Sequence, residues 1–290
     1  MVTSAGRSDN PGLTDDMSGD RPTHGADRSA EVTSRVLLGR KHPCLTSLAL
    51  RWIGMNPMWA GAGAVIGVLA GALLRGTVFR LSVASGDPER TTCPHCTAPV
   101  RRWASVRCGH CRSSLGTPLV LELATASVLA LLLGRFGARL ETLAFAFLGV
   151  LGVALAAIDI MVQRLPDRLT LPAYPILIAL LAAAAIAAHD VTMMARALLG
   201  GVTLAAGYLL LALLRPGQLG GGDIKLAGVA GLALGWLGWS TLIAGTVLGF
   251  VLSALVSLAL LASRRITLHS QICFGPFLLG GALLAILISG

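Results

Sequence analysis

Residues 141–159 read ETLAFAFLGVLGVALAAID and carry charge only at their two ends, Glu141 and Asp159. A helix needs about 20 predominantly apolar residues to cross the hydrocarbon core of a bilayer, so this stretch predicts a membrane-spanning helix. Comparable stretches recur at 58–80, 118–134, 169–188, 194–214, 224–239, 240–262 and 271–289. The sequence therefore predicts an all-α polytopic membrane protein with about eight transmembrane helices.

The composition also indicates a membrane protein. Hydrophobic residues make up 54% of the chain and charged residues 13%, and the mean hydropathy is +0.76. Soluble domains carry about 25% charged residues. The net charge of +9 does not indicate nucleic-acid binding, because the basic residues are spread between the apolar stretches, where they anchor loops. We expect the lipid bilayer as a partner and no nucleic acid.

Three regions follow from the pattern. Residues 1–57 form a tail, expected to be disordered to about residue 45 because it is rich in polar residues, and then amphipathic. Residues 58–117 hold the first span and a polar insertion, and residues 118–290 hold the remaining spans. The first forty residues lack an apolar core, so we expect no secretory signal peptide.

The distribution of Lys and Arg predicts the orientation. Loops on one side of the membrane hold twelve of these residues, whereas those on the other hold Arg135, Arg139 and Arg196. Because cytoplasmic loops are enriched in basic residues, the polar insertion is predicted to lie on the cytoplasmic side of the inner membrane. The basic residues of the tail, such as Arg40 and Lys41, would then face outward, but long tails follow this rule less closely than short loops.

The insertion contains two CxxC pairs. Residues 93–111 read CPHCTAPVRRWASVRCGHC, which places Cys93, Cys96, Cys108 and Cys111 at the spacing of a structural zinc site. We predict a small zinc-ribbon-like insertion in which the intervening histidines are spacers. Two disulfides, a loop that has lost its metal and a nucleic-acid-binding ribbon are the alternatives; a cytoplasmic location disfavours the disulfides.

Acidic residues are scarce after residue 90, and two of them lie at the ends of predicted spans. Asp159 lies at the end of the third span, and Asp223 lies at the start of the sixth, after Gly220, Gly221 and Gly222. Spans four and five cross and return, so both aspartates are predicted on one side. Glycines let helices approach closely, and two close carboxylates share a proton. This pattern predicts hydrolysis by a water that one aspartate activates.

Other interpretations of these residues stay open at this point. Asp159 could be an interfacial helix-end residue, and the glycine run could be a flexible turn. Asp167 is interpreted as the cap of a helix that begins at Arg168. Lys225 is interpreted as a marker of the cytoplasmic boundary rather than a catalytic base.

The combined motifs resemble the type IV prepilin peptidases, which are GxGD aspartyl proteases. The resemblance runs from about residue 65 to the C-terminus and includes the paired CxxC motifs, the segment from Asp159 to Leu165-Pro166-Asp167, the GxGD sequence from Gly220 to Asp223 with Lys225, and Phe274-Gly275-Pro276-Phe277. It implies that Asp159 and Asp223 are catalytic and that the substrates are prepilin or pseudopilin precursors, cleaved at the cytoplasmic face between a basic leader and a hydrophobic helix. It also implies N-methylation of the new terminus from S-adenosylmethionine in many members.

Three departures from the family pattern fall in the half associated with methylation. The stretch between the CxxC pairs is short, Arg75 stands where an Asn is usual, and the interval from Pro118 to Glu122 is one residue longer. We therefore predict weak or absent methylation. Two other functions compete with the peptidase: a proton- or ion-coupled transporter that uses the two aspartates as a relay, and a structural subunit of a secretion apparatus. Transporters often contain internal repeats, and this sequence shows none.

Overall fold

The computed structural model describes residues 54–83, 88–100, 108–113, 119–214, 219–264 and 273–290. These residues form eight helices, α1 Pro57–Leu81, α2 Val120–Phe136, α3 Leu140–Val162, α4 Asp167–Ala188, α5 Val191–Leu214, α6 Gly221–Leu237, α7 Trp239–Ala262 and α8 Gly275–Ser289. Each corresponds to one predicted span, which confirms the all-α fold. The predicted disordered tail over residues 1–45 lies outside the described residues.

Five of the eight helices, α1, α3, α4, α5 and α7, are long and apolar enough to cross a membrane by length and composition. Helices α2, α6 and α8 have 15 to 17 residues. At 1.5 Å per residue, a 17-residue helix extends about 25 Å, somewhat less than the hydrocarbon thickness of about 30 Å. The chain is a multi-pass membrane protein in which the five long apolar helices accompany these three shorter ones.

Helix α6 lies at the centre of the fold. Every residue from Leu226 to Trp236 is buried, and the helix packs against α4, α5, α7 and α8. An apolar helix with no exposed stripe belongs inside a bundle rather than against lipid. The central position of α6 fixes where its N-terminal residues, and hence Asp223, lie in the protein.

Small residues allow α5 and α6 to pack closely. A Cβ atom on Gly231 would lie 2.6 Å from the carbonyl oxygen of Gly200, and one on Gly200 would lie 2.7 Å from that of Gly231. Both distances are below any real contact, so each position requires glycine. This is the close approach that glycine makes possible between membrane helices.

Helices α1 and α2 form a second close pair. Gly63, Gly67 and Gly71 recur every four residues on α1, and their buried face packs on the backbone of α2. Thr125 reinforces the pair because its hydroxyl donates a hydrogen bond to the carbonyl of Gly67 over 2.6 Å. The pair therefore holds the helix before the cysteine insertion against the helix after it.

A tight turn separates α6 from α7. The chain turns at Gly238, whose φ of 148° favours glycine. Trp239 is 46% exposed, as an interfacial indole requires, but Trp236 is 3% exposed and packs in the core. The two indoles next to this turn therefore have different surroundings, because Trp236 is still part of the buried helix α6.

Candidate active site

The two aspartates predicted to act together line one cavity. Asp159 lies in the last turn of α3 and Asp223 in the first turn of α6. They contribute to the same cavity of about 310 Å³, which is also lined by Gln163, Arg164, Leu165, Asp167, Gly220, Gly221, Gly222 and Lys225. The structure thus brings together the two motifs that were predicted on one side of the membrane because spans four and five cross and return.

Asp159 is the more buried of the two. It is 5% exposed, and its Oδ2 atom is buried without a hydrogen-bond partner among the described residues. Burying a polar group without a partner is unfavourable, so such atoms often mark functional sites. The sequence predicted Asp159 at the end of its span, whereas helix α3 continues to Val162. Asp159 therefore lies at the beginning of the last turn of α3 and not at its last residue.

Asp223 is held by the backbone at the start of α6. Its Oδ2 atom accepts a hydrogen bond from the N–H of Gly220 over 3.3 Å, and its own N–H donates to the carbonyl of Gly220 over 3.0 Å. These reciprocal bonds cap the helix and restrain the carboxylate.

The three glycines before Asp223 have different surroundings. A Cβ on Gly222 would lie 2.7 Å from the Cβ of Leu165, whereas a Cβ on Gly221 would meet nothing within 4 Å. Gly220 is the N-cap of α6. Close approach therefore requires glycine at Gly222, where α6 meets the segment that connects α3 to α4.

The structure contradicts the interpretation of Asp167 as a helix cap. Helix α4 begins at Asp167 itself, its N-cap is Pro166, and the cap position makes no side-chain hydrogen bond. The carboxylate instead accepts from the Nζ of Lys225 over 2.6 Å. This ion pair joins the start of α4 to the start of α6. The Lys225 carbonyl also accepts from Tyr174 Oη over 2.7 Å.

The N-terminus of α8 completes the wall around Asp159. A Cβ on Gly275 would lie 2.7 Å from Asp159 Oδ2, and the Cys273 thiol donates to the Asp159 carbonyl over 3.2 Å. Reasoning from residue types and periodicity missed this contact, and the family resemblance supplied Gly275 only as part of a motif. The sequence signal at this position was the motif Phe274-Gly275-Pro276-Phe277, in which a glycine directly precedes a proline at the start of a helix.

The four cysteines of the insertion form a compact cluster. Their Sγ atoms all lie within 4.8 Å of one another, and the closest pairs are Cys96–Cys108 at 3.6 Å and Cys93–Cys111 at 3.7 Å. All four are free, and these separations exceed a disulfide bond. A tetrahedral zinc with bonds of about 2.3 Å separates its sulfur ligands by about 3.8 Å, so the donor set fits zinc.

Two matching turns present these thiols. The N–H of Thr97 donates to the Cys93 carbonyl over 2.9 Å, and that of Arg112 to the Cys108 carbonyl over 3.0 Å. Both donors have φ of 57°. Several hydrogen bonds, the largest from the backbone N–H of His95 and the next from the Ser113 hydroxyl, together lower the pKa of the Cys93 thiol to about 6, which favours the thiolate that a metal binds. His95 therefore contributes its backbone to the site.

Arg75 and Glu122, both flagged as departures from the family pattern, form an ion pair with each other. Glu122 is buried in α2, and Arg75 reaches it from α1. A buried carboxylate requires such a partner. The pair joins Arg75 Nε to Glu122 Oε1, and the other carboxylate oxygen, Oε2, is buried without a hydrogen-bond partner among the described residues.

Comparison with known proteins identifies the family to which this chain belongs. The model of the type IV leader peptidase family matches residues 145–288, a range that includes both aspartates. A prepilin leader peptidase/N-methyltransferase from Burkholderia pseudomallei (strain 1026b) is 31% identical over 255 residues, which cover 75% of this chain and 81% of the relative. One from Neisseria gonorrhoeae is 28% identical over 77% of this chain and 88% of the relative. No solved structure matches the chain significantly. The chain therefore belongs to the type IV leader peptidase family, whose members are enzymes.

Proposed function

We propose that this chain is an intramembrane aspartyl peptidase that cleaves the leader peptide from type IV prepilin-like precursors. The observation that carries the proposal is the shared cavity of Asp159 and Asp223, which come from two helices far apart in the sequence. The curated relatives are named for this reaction.

The two carboxylates supply acid and base together. Two neighbouring carboxylates cannot both ionise cheaply, so one proton is shared between them. The ionised member removes a proton from water, which attacks the carbonyl carbon of the scissile peptide bond. The protonated member then donates its proton to the departing amine as the C–N bond breaks. No covalent intermediate with the protein is formed.

The cavity is proposed to open on the cytoplasmic side of the inner membrane. The support is the excess of Lys and Arg in the loops on that side, twelve against three. The Asp167–Lys225 pair, with side chains 57% and 39% exposed, places charge at the mouth of the cavity. A substrate with a basic leader would therefore meet the two aspartates from the cytoplasm.

Zinc is proposed as a structural ion held by Cys93, Cys96, Cys108 and Cys111. Four thiolates leave no open coordination position, as in structural rather than catalytic zinc sites. The cavity of the aspartates is lined by none of these cysteines, so no hydrolytic step is assigned to the metal.

Methylation is proposed to be weak or absent, because the stretch between the CxxC pairs is short and Arg75, which pairs with Glu122, stands where an Asn is usual in the family. The relatives' name includes N-methyltransferase, which makes the question a direct one to test. Mass spectrometry of mature pilin N-termini decides it. A gain of one methyl group that depends on this protein contradicts the proposal.

The peptidase is tested by co-expressing the chain with a prepilin precursor in cells that lack any other leader peptidase. Asp159→Asn and Asp223→Asn should each abolish cleavage, and the double variant should be no worse than either, because residues that act as a unit are not additive. Asp190→Asn is the matched control: Asp190 lies outside the cavity and accepts from the N–H of Thr192 over 2.9 Å.

The outcome separates the competing functions. Loss of cleavage in both variants, with full cleavage by the control, supports the aspartyl mechanism. Complete processing by Asp223→Asn contradicts it. A wild-type chain that inserts but never cleaves a precursor contradicts the peptidase and leaves the transporter and the structural subunit.

A further inference from the structure

Tyr208 carries a buried hydroxyl that the proposed mechanism does not use. The residue lies on α5 and is 1% exposed, and its Oη atom is buried without a hydrogen-bond partner among the described residues. The other tyrosine of the chain, Tyr174, donates from its hydroxyl to the Lys225 carbonyl over 2.7 Å. A buried tyrosine hydroxyl usually has such a partner, because leaving it unpaired is unfavourable. The unpaired hydroxyl of Tyr208 therefore indicates a role besides packing.

The packing of α5 on α6 places Tyr208 beside the first turn of α6. These two helices are consecutive in the chain and pack along each other in opposite directions. A Cβ on Gly228 of α6 would lie 3.3 Å from the Cβ of Ala205 on α5. One turn further along each helix, Tyr208 is level with residues 224 and 225. The first turn of α6, which includes Asp223, therefore lies next to Tyr208.

Two phenylalanines fix the position of the Tyr208 ring. Its centroid lies 5.9 Å from that of Phe250 on α7 and 5.8 Å from that of Phe274, the N-cap of α8. These are the separations of favourable aromatic pairs. Phe274 directly precedes Gly275, whose Cβ position lies 2.7 Å from Asp159 Oδ2. Tyr208 is therefore packed between the helix ends that approach the two aspartates.

The hydroxyl of Tyr208 can act only through another residue. It is buried, and Tyr208 is not among the residues that line the cavity of the two aspartates. Asp223 is the nearer aspartate along the helices, because α5 packs most extensively on α6. An ionised carboxylate has about four acceptor positions. Asp223 can therefore accept from Tyr208 while it keeps the hydrogen bond from the N–H of Gly220.

We propose that Tyr208 is a positioning residue whose hydroxyl donates a hydrogen bond to the Asp223 carboxylate in the substrate complex. The inference rests on the proposed peptidase function. Catalytic hydrogen bonds are often long in a free enzyme and shorten once the substrate is bound, so an unpaired hydroxyl next to the dyad is what such a donor looks like beforehand. The bond orients the carboxylate of Asp223 in the cavity, and the aromatic surroundings strengthen it by excluding water.

The test is Tyr208→Phe, which removes the hydroxyl and keeps the ring. With a purified prepilin precursor we expect kcat to fall about 10- to 100-fold, because a misplaced reacting group costs up to about 100-fold in rate. KM should change little, because Tyr208 does not line the cavity. The thermal unfolding temperature in detergent should stay the same or rise, because the variant removes a buried hydroxyl that has no partner.

Thr142→Val is the matched control. Thr142 lies in the first turn of α3 and is 3% exposed, and its Oγ1 atom is also buried without a hydrogen-bond partner among the described residues. It is about 25 Å from Asp159 along the same helix, at 1.5 Å per residue. Removing this hydroxyl should leave both kcat and KM at their wild-type values.

Replacing Tyr208 with 4-aminophenylalanine separates a hydrogen-bond donor from a space-filling ring. The amino group is a donor of nearly the same size as the hydroxyl, so we expect it to restore most of the kcat that Tyr208→Phe loses. Wild-type kcat in Tyr208→Phe overturns the inference and leaves the peptidase intact. A fall in kcat that the amino group does not restore also overturns it, because the loss then has a cause other than a missing donor. A wild-type chain that cleaves no precursor overturns the peptidase itself.

Discussion

The contact between Gly275 and Asp159 makes a sharp prediction for Gly275→Ala. The new methyl group would lie 2.7 Å from Asp159 Oδ2, whereas ordinary van der Waals contacts begin at about 3.4 Å, so the carboxylate must move by roughly 0.7 Å. A misplacement of about 1 Å at a reacting group can cost about 100-fold in rate. We therefore expect kcat to fall by about 30- to 100-fold, which corresponds to about 2 to 3 kcal/mol of transition-state stabilisation.

The assay is cleavage of a purified precursor under steady-state conditions, with kcat and KM determined separately. KM should change little, because the substitution displaces a reacting carboxylate and adds only one methyl group. Gly207→Ala is the matched control: Gly207 lies in α5, and a Cβ there meets nothing within 4 Å. A Gly275→Ala enzyme with wild-type kcat would refute the assigned position of Asp159.

Three further predictions concern the charged and cysteine-bearing parts of the chain. Asp167→Asn should lower stability by less than about 1 kcal/mol and activity by less than tenfold, because its pair with Lys225 is exposed; complete loss of cleavage would assign Asp167 a catalytic role instead. Arg75→Ala should lower the free energy of unfolding by about 3 to 5 kcal/mol, because it leaves the buried Glu122 without its partner. A thermal unfolding assay in detergent measures this loss. The paired change Arg75→Met with Glu122→Gln should lower the stability less. The double variant Cys93→Ser with Cys108→Ser should lose zinc and become sensitive to proteolysis in the insertion while still cleaving precursor; stoichiometric zinc in that variant contradicts the assigned ligands.

Local sequence patterns determined the elements of this protein. Each of the eight predicted spans corresponds to an observed helix, because the length and apolarity of a span are properties of consecutive residues. The paired CxxC motifs likewise indicated a four-cysteine cluster, since each pair is held by its own tight turn. Counting the spans between Asp159 and Asp223 was enough to place both on one side.

The tertiary structure alone decided what surrounds the aspartates. It buried Asp159 beneath Gly275, paired Asp167 with Lys225 and placed Trp236 in the core. It also joined Arg75 to Glu122. These contacts join residues far apart in the chain, and they depend on how the helices rotate and pack against one another. The apolar character of membrane helices leaves that rotation weakly marked in the sequence, because side chains facing lipid and side chains facing protein are equally hydrophobic.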